Sequence, residues 1–225
     1  MLLTHIATSA LLFASAPPRA PLAACASSVL DSTPGWEALS LSLDRAPVFT
    51  VANAEGQPLQ YEISGSKYAL FYADIEEAKA ELEQAQTQYP SLGCDLIPVG
   101  LGSAYKLSVD GKAHLIPSKT ELKRAGAPAE VTAMGQPMPL FACMDMTLDS
   151  DSGPVLPLFL TWSDCRAAVD EAEALDAPEK PLEVVGLSLP SVVERLGASD
   201  GQAPAIIVMP DRRASQYIQE YLGEA

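Results

Sequence analysis

The sequence contains two copies of one order of apolar segments, and this internal repeat constrains the fold more than any other feature. The first copy runs from Ala46–Val51 through Tyr68–Tyr72 into a stretch with helical spacing. The second runs from Met138–Phe141 through Leu156–Leu160 into a similar stretch. In both stretches apolar residues recur at i, i+3, i+7 and i+10, which places them on one helix face. At an offset of 90 the matching residues are Ile75, Ala78, Leu82 and Ala85 in the first copy and Cys165, Ala168, Ala172 and Leu175 in the second.

The repeat continues beyond these helices in the same order. The runs Asp95–Leu101 and Glu183–Leu189 are short and rich in aliphatic residues, so each predicts a buried strand. A short helix, a second apolar strand and a final helix follow in each copy. Asp211 is predicted to cap the final helix of the second copy, and Ser118 takes this role in the first.

These patterns predict an α/β protein that is internally duplicated, with two pseudo-symmetric α/β lobes packed together. Each lobe alone would leave a sheet face or a helix stripe uncovered, which favours packing of one lobe on the other. The predicted divisions are a targeting leader over residues 1–35, a first repeat over residues 36–135 and a second repeat over residues 136–225. A short helix over Trp36–Leu43 is expected to precede the first lobe.

The N-terminal segment has the composition of a targeting signal. Residues 1–30 contain no Asp or Glu and one Arg. The apolar run Ile6–Ala16 ends in a small-x-small pattern and is too short to span a bilayer, and an acid-free piece follows it. A cleaved leader of this bipartite kind resembles those of plastid proteins in algae with complex plastids. The alternative is a bacterial lipoprotein box at Leu22–Cys25, although prolines interrupt the apolar run before it.

Charge and cysteine content exclude several classes of function. The chain carries 14 basic and 29 acidic residues, a net charge of −15, so its field repels nucleic acid and attracts basic partners. No C-x-x-C pair occurs, which gives no support to a zinc or redox motif. We expect the thiols downstream of the leader to be free and buried; they are Cys94, Cys143 and Cys165.

The inventory of catalytic groups is small. His5 lies in the leader, and His114 lies in a predicted strand, where a structural role is expected. The segments near Phe49 and Phe71 resemble the opening of a thiol peroxidase, but Asp74–Glu77 stand where the reactive cysteine would be. The sequence therefore predicts no catalytic residue, no metal ligand and no cofactor. The alternatives that stay open are a thioredoxin-like, peroxidase-derived enzyme and a bacterial-type lipoprotein module.

Four of the six methionines lie within thirteen positions, around the start of the second repeat. Flexible thioether side chains suit recognition of varied apolar partners. The other interpretation is that Met144 and Met146 share one strand face and pack in the core. The candidate peptide-binding residues are Met134, Met138, Met144 and Met146.

Several segments of the two repeats together carry a resemblance to a known family. In the first repeat they are LDRAPVFTVANAEGQPLQ, YALFYADIEEAKAELEQ, LIPVGLGSAYKLS and HLIPS. In the second they are MPLFACMD, LPLFLTWSDCRAAVDEAE and VVGLSLPSVVERL. These segments resemble the Tic22-like family, an intermembrane-space component of the translocon at the inner envelope of chloroplasts. The resemblance covers the chain from about Leu43 to Leu222. It implies a duplicated α/β protein that assists preproteins between the two envelope membranes through chaperone-like apolar pockets.

The partners that follow are unfolded preproteins with basic presequences and other translocon subunits. Acidic surface on this chain would attract such presequences, which are basic and poor in acids. Neither nucleic acid nor a transmembrane segment of its own is expected. The predicted function is chaperone-like binding of preproteins during protein import into plastids, without catalysis.

Overall fold

The computed structural model describes residues 29–33, 35–150, 153–175, 180–197 and 205–223. Most of the predicted leader therefore lies outside the described residues. Over these ranges, no helix combines the length and the apolar character needed to cross a membrane. A short 3-10 helix spans Val29–Ser32, and its Leu30 packs into the central core, so a leader removed at residue 35 would take that contact with it.

The first lobe follows a short helix, α1, at Trp36–Leu43. Its strands are β1 Pro47–Ala52, β2 Gln60–Ile63, β3 Ser66–Tyr72, β4 Asp95–Gly100 and β5 Ala113–Ile116. Its helices are α2 Ile75–Gln88, α3 Leu101–Val109 and α4 Lys119–Arg124.

The second lobe has the same order of elements. Its strands are β6 Pro139–Ala142, β7 Leu148–Ser150, β8 Gly153–Phe159, β9 Val185–Ser188 and β10 Ile206–Met209. Its helices are α5 Trp162–Leu175, α6 Leu189–Gly197 and α7 Arg212–Gly223.

The two sheets share one topology. In the first, β1 pairs with β3 and β4, and β3 also pairs with β2 and β5. In the second, β6 pairs with β8 and β9, and β8 also pairs with β7 and β10. The pairs β3–β5 and β8–β10 are parallel, and the other pairs are antiparallel. The prediction of an internally duplicated α/β fold is therefore confirmed, whereas the exact repeat bounds stay a prediction.

The register corrects the predicted offset between the long helices. Phe49 pairs with Tyr72, and Phe141 pairs with Phe159. Each long helix begins three residues after the second member of the pair, at Ile75 and at Trp162, so the offset is 87 and not 90. A shift of three residues returns almost to the same helix face, so apolar spacing did not distinguish the two offsets.

The corrected offset changes which residues of α5 match the buried residues of α2. Cys165 now corresponds to Ala78, and both are fully buried. Leu175, predicted to lie on the buried face, is 87% exposed. The prediction for Leu175 was wrong because the last turn of α5 extends past the edge of the core.

A core shared by both lobes lies between the sheets. It contains Val48 and Leu101 from the first lobe and Leu140 and Leu189 from the second. Helix α1, which the sequence predicted, contributes three more residues to this core: Trp36, Leu39 and Leu43. Since both lobes bury apolar side chains in one cluster, their packing removes apolar area that each would otherwise expose.

Helix α1 also ties the lobes together through polar contacts. The Asp44 carboxylate at its end accepts a hydrogen bond from the Ser103 N–H at the start of α3, at 2.8 Å. Ser42 contacts the free edge of β10, where its hydroxyl accepts from the Val208 N–H at 3.1 Å. Gly100 allows the Asp44 carboxylate to approach the start of α3, because a Cβ at position 100 would clash with that carboxylate.

The final helices of the repeats also pack across the lobe boundary. Arg213 of α7 pairs with Asp74, which caps α2 of the first lobe, at 3.2 Å. Reciprocally, Glu121 of α4 accepts from the Trp162 N–H at the start of α5, at 2.7 Å. The Asp211 cap of α7 is as predicted. Ser118 occupies the N-cap position of α4, as predicted, but its hydroxyl makes no capping bond to the helix and donates to the buried Asp74 carboxylate instead.

Candidate peptide-binding groove on the second lobe

An open groove of about 730 Å³ lies on the outer side of the second lobe, between α5 and α7. Its most buried lining residues are Phe159 at the end of β8 and Met146 in the turn after β6. Met209 at the end of β10 and Leu148 of β7 extend the apolar lining. The groove is therefore built where three strand ends of the second sheet meet the two long helices.

The two helices give the groove unlike walls. Helix α5 presents Ala168 and Ala172, which lie at i and i+4 on one face and whose small side chains leave space. Helix α7 presents Ser215 and Gln219. The apolar face of α7 is turned instead to the first lobe, where Tyr217 meets Phe49 edge-on at 5.6 Å.

The charged groups at the groove leave a negative excess. Asp164 accepts a hydrogen bond from the Arg212 N–H at 3.3 Å, and the Arg212 guanidinium lies 3.7 Å from the same carboxylate. Glu171 adds a second carboxylate to the lining. The lining thus holds two acids and one base, which agrees in sign with the chain as a whole.

The corresponding site in the first lobe can be located from hydrogen bonds and register. Glu77 accepts from the Lys119 N–H at 3.1 Å, as Asp164 does from Arg212. The strand pairings Tyr61–Tyr68 and Leu148–Val155 match, so Leu148 takes the place of Tyr61. By the same offsets, the groove residues Phe159, Ala168, Met209 and Ser215 correspond to Tyr72, Glu81, Ile116 and Leu122.

In the first lobe this site is closed by larger side chains. The Tyr61 hydroxyl donates to the Glu81 carboxylate at 2.8 Å and bridges β2 to α2. Burial, together with the Glu81 carboxylate, raises the pKa of Tyr61 far above its usual range, so the phenol keeps its proton as a donor. Ile116 and Leu122 are buried in the same apolar cluster as Tyr61. The second lobe has Leu148 and Ala168 in place of the bonded pair, and the space stays open.

A profile of the Tic22-like family matches residues 4–220. This chain belongs to the Tic22-like family. Tic22 from Plasmodium falciparum superimposes with a TM-score of 0.69 at 14% identity, covering 83% of this chain and 98% of that chain. Anabaena Tic22, described by the term protein transport, superimposes with a TM-score of 0.64 at 18% identity, covering 82% of this chain and 96% of that chain. The predicted family resemblance is confirmed, and the two structures share this fold.

A different similarity concerns translation initiation factor IF-2 from Methylocella silvestris, which is 28% identical over 181 residues. Those residues are 71% of this chain, but the chain spans only 19% of the length of that factor. No activity of the factor is carried over to this member of the Tic22-like family.

The structure separates the four methionines that the sequence grouped. Met138 is 4% exposed in the core between the lobes, and Met146 is buried at the groove. Met134 and Met144 are 38% and 53% exposed. Strand β6 ends at Ala142, so the interpretation that placed Met144 and Met146 on one strand face was wrong: both lie in the turn region that follows. One of the four, Met146, lines the groove.

Sequence reasoning missed most of the groove of this Tic22-like chain. Ala168 and Ala172 were assigned to the core face of α5, although small residues at i and i+4 also fit a helix that borders a cavity. Met209 carried no signal, because a strand residue in an apolar run looks the same whether its side chain meets a helix or open space. Leu148 carried none because it is an isolated leucine in an acid-rich stretch.

The thiols and the histidine have structural environments. The cysteines at 94, 143 and 165 are free and buried, as expected. Burial raises the pKa of Cys165 to about 11, which keeps it protonated. The His114 ring lies 4.5 Å from that of Tyr68. Among the residues that the structure describes, no group of three or more His, Cys, Asp or Glu could hold a metal ion.

Proposed function

We propose that this chain takes part in protein import into plastids, as a non-catalytic subunit associated with the translocon that binds unfolded preproteins in the envelope intermembrane space. Membership of the Tic22-like family supports a role related to protein transport. The plastid location rests on the family and on the acid-free first 30 residues. The observation that carries the binding mechanism is the open apolar groove between α5 and α7.

The groove has the properties needed to bind chains of varied sequence. Burial of apolar surface is non-directional, and each Å² removed from water contributes roughly 25 cal/mol. Met146 and Met209 are flexible enough to pack against side chains of different shape. A chain segment of a few residues fits a pocket of this size, so weak and exchangeable binding is expected, as transfer through a translocon requires.

Charge selects among the chains that the groove can bind. The net charge of −15 and the Glu171 carboxylate attract basic presequences and repel acidic chains. This attraction is screened over about 8 Å at physiological ionic strength, whereas apolar burial is not. Binding should therefore have a salt-sensitive part and a salt-resistant part.

Titration of a fluorescent, basic, acid-free presequence peptide at low and high salt tests this proposal. Leu175→Ser removes an apolar side chain from the groove rim and should weaken the binding that persists at high salt by a few-fold. Leu41→Ser is the matched control, because Leu41 is also an exposed leucine on a helix, at 69%, and does not line the groove. If the folded protein binds no peptide at either salt, the preprotein-binding function is refuted.

The location is tested separately. A fluorescently tagged copy should accumulate in the plastid, and sequencing of the mature N-terminus should place cleavage within the first 35 residues. Retention of the whole leader outside plastids would contradict the proposed compartment without bearing on peptide binding.

A further inference from the structure

The first lobe contains a polypeptide segment packed in the same apolar cluster as its closed site. Downstream of α4, Ala127, Val131 and Ala133 join the cluster that includes Tyr72 and Leu122. These last two residues correspond to the groove residues Phe159 and Ser215. In the first lobe, a segment of the chain itself therefore belongs to the apolar cluster that contains the closed site.

The packed segment is irregular and compact. The Ala127 N–H donates to the Leu122 carbonyl at 2.9 Å, and the Val131 N–H donates to the Pro128 carbonyl at 3.1 Å. No residue of the segment belongs to a helix or a strand. Its apolar side chains are short, so little volume is needed for each, and its backbone satisfies part of its hydrogen bonding internally.

The second lobe leaves the matching surface exposed among the described residues. Leu148 is 38% exposed, although its counterpart Tyr61 is held by Glu81. Ser215 is smaller than Leu122, and Ala168 is smaller than Glu81, so three positions together create the open volume. The opening follows from side-chain size at equivalent positions and needs no difference in backbone topology.

From this pseudo-symmetry we infer that the groove binds a short, non-helical segment with small aliphatic side chains, chiefly Ala and Val, flanked by basic residues. The segment belongs to an unfolded polypeptide and packs on Phe159, Ala168 and Leu148. Its counterpart in the first lobe is the segment of Ala127 and Val131, which joins the apolar cluster of Tyr72. Basic flanks follow from Glu171 and the net negative charge. The inference rests on the proposed function and specifies which part of a client chain is held.

A probe for this site is the chain's own segment, residues 125–135, synthesised as a labelled peptide with a lysine added at each end. It should bind the full-length protein and compete with the presequence peptide. The same peptide with Val131→Asp should bind at least about tenfold more weakly, because a carboxylate would be buried against apolar side chains.

The decisive variant transfers the closing pair of the first lobe into the second. Leu148→Tyr with Ala168→Glu should reproduce the Tyr61–Glu81 hydrogen bond and weaken binding of the probe by about tenfold or more. Leu148→Tyr with Ala168→Gln keeps the bond without the charge, so it should have the same effect if closure is the cause. The matched control is Leu41→Tyr with Ala80→Glu, the same changes at exposed helix positions outside the groove.

Each outcome has one meaning. If both closing variants fold, as judged by circular dichroism and thermal unfolding, and still bind the probe normally, the inference is overturned. If the presequence peptide binds normally while the 125–135 peptide does not compete, the ligand class is wrong and the proposed function stands. If an N-terminal leader peptide competes better than both, the groove is a site for the chain's own leader, which also overturns the inference.

Discussion

The two lobes differ most at one pair of positions on their outer faces. In the first lobe Tyr61 donates a hydrogen bond to Glu81, whereas in the second Leu148 and Ala168 occupy the equivalent places. The sheets beneath have the same strand order and the same parallel and antiparallel pairs. Duplication therefore preserved the backbone topology, and side-chain size made one site closed and the other open.

The final helices of the two repeats also cover the lobes to different extents. Helix α7 has 12 residues and covers the outer cluster of the first lobe with Ala214, Tyr217 and Ile218. Helix α4 has 6 residues and contacts the second lobe mainly at Trp162, where Arg124 lies 4.9 Å from the ring. The long helix protects the first lobe, and the short one leaves the second lobe accessible. We expect the first lobe to carry stability and the second to carry binding.

The largest expected effect breaks the protected cluster. Phe49 and Phe141 are equivalent and almost fully buried, and Phe49 also contacts Tyr217 of α7. Replacing either by Ala should lower the free energy of unfolding by about 3–5 kcal/mol, with Phe49→Ala the more costly because it also loses an aromatic contact. Urea denaturation of both variants measures the difference. Equal costs would contradict a stabilising role for α7 on the first lobe.

A medium effect concerns the helix caps. Asp74 caps α2 and pairs with Arg213, whereas its equivalent Thr161 caps α5 without a charge. Asp74→Thr makes the first lobe like the second: the cap is kept, and the contacts of the carboxylate with Arg213 and Ser118 are lost. Because Arg213 is half exposed, the expected cost is only about 1–2 kcal/mol at neutral pH.

The cost of Asp74→Thr should depend on pH. Burial alone would raise the pKa of Asp74, but Arg213 and the two capping N–H groups outweigh it and hold the pKa below its usual range. A carboxylate with a lowered folded pKa contributes its stability above the unfolded pKa and loses it as the pH falls through the folded pKa. The difference between wild type and variant should therefore be largest at neutral pH and shrink in acid. A constant difference from neutral to acidic pH would contradict the ion-pair explanation.

The sequence predicted the architecture because periodicity and order survive duplication. The strands, the long helices and the fold class followed from apolar spacing around residues such as Phe49 and Phe141. The groove did not follow, because it depends on which side chains at equivalent positions are large. Without the correct offset of 87, Ala168 could not be matched to Glu81. The sequence therefore did not predict that the two lobes differ in side-chain size at this site.

Methionine content alone did not locate the groove. Met138 was singled out for flexibility, and it lies in the core between the lobes, where flexible side chains also fill irregular space. Substitution there should disturb the packing of the lobes. Composition indicates what a side chain can do, whereas burial decides which use the fold makes of it.

The smallest expected effect concerns which groups close the site in the first lobe. Tyr61→Leu with Tyr72→Phe and Glu81→Ala gives the first lobe the residue types of the open groove. It removes the Glu81 carboxylate together with the two hydroxyls that bond to it, so neither hydroxyl is left unpaired. The expected cost is about 1 kcal/mol. Leu122 stays in place of the smaller Ser215, and Ala127, Val131 and Ala133 still pack in the cluster, so the site should stay filled. Isothermal titration with the labelled 125–135 peptide should then give one site per chain, as for the wild type. A stoichiometry of two would mean that the Tyr61–Glu81 bond, and not the packed segment, keeps the first lobe closed.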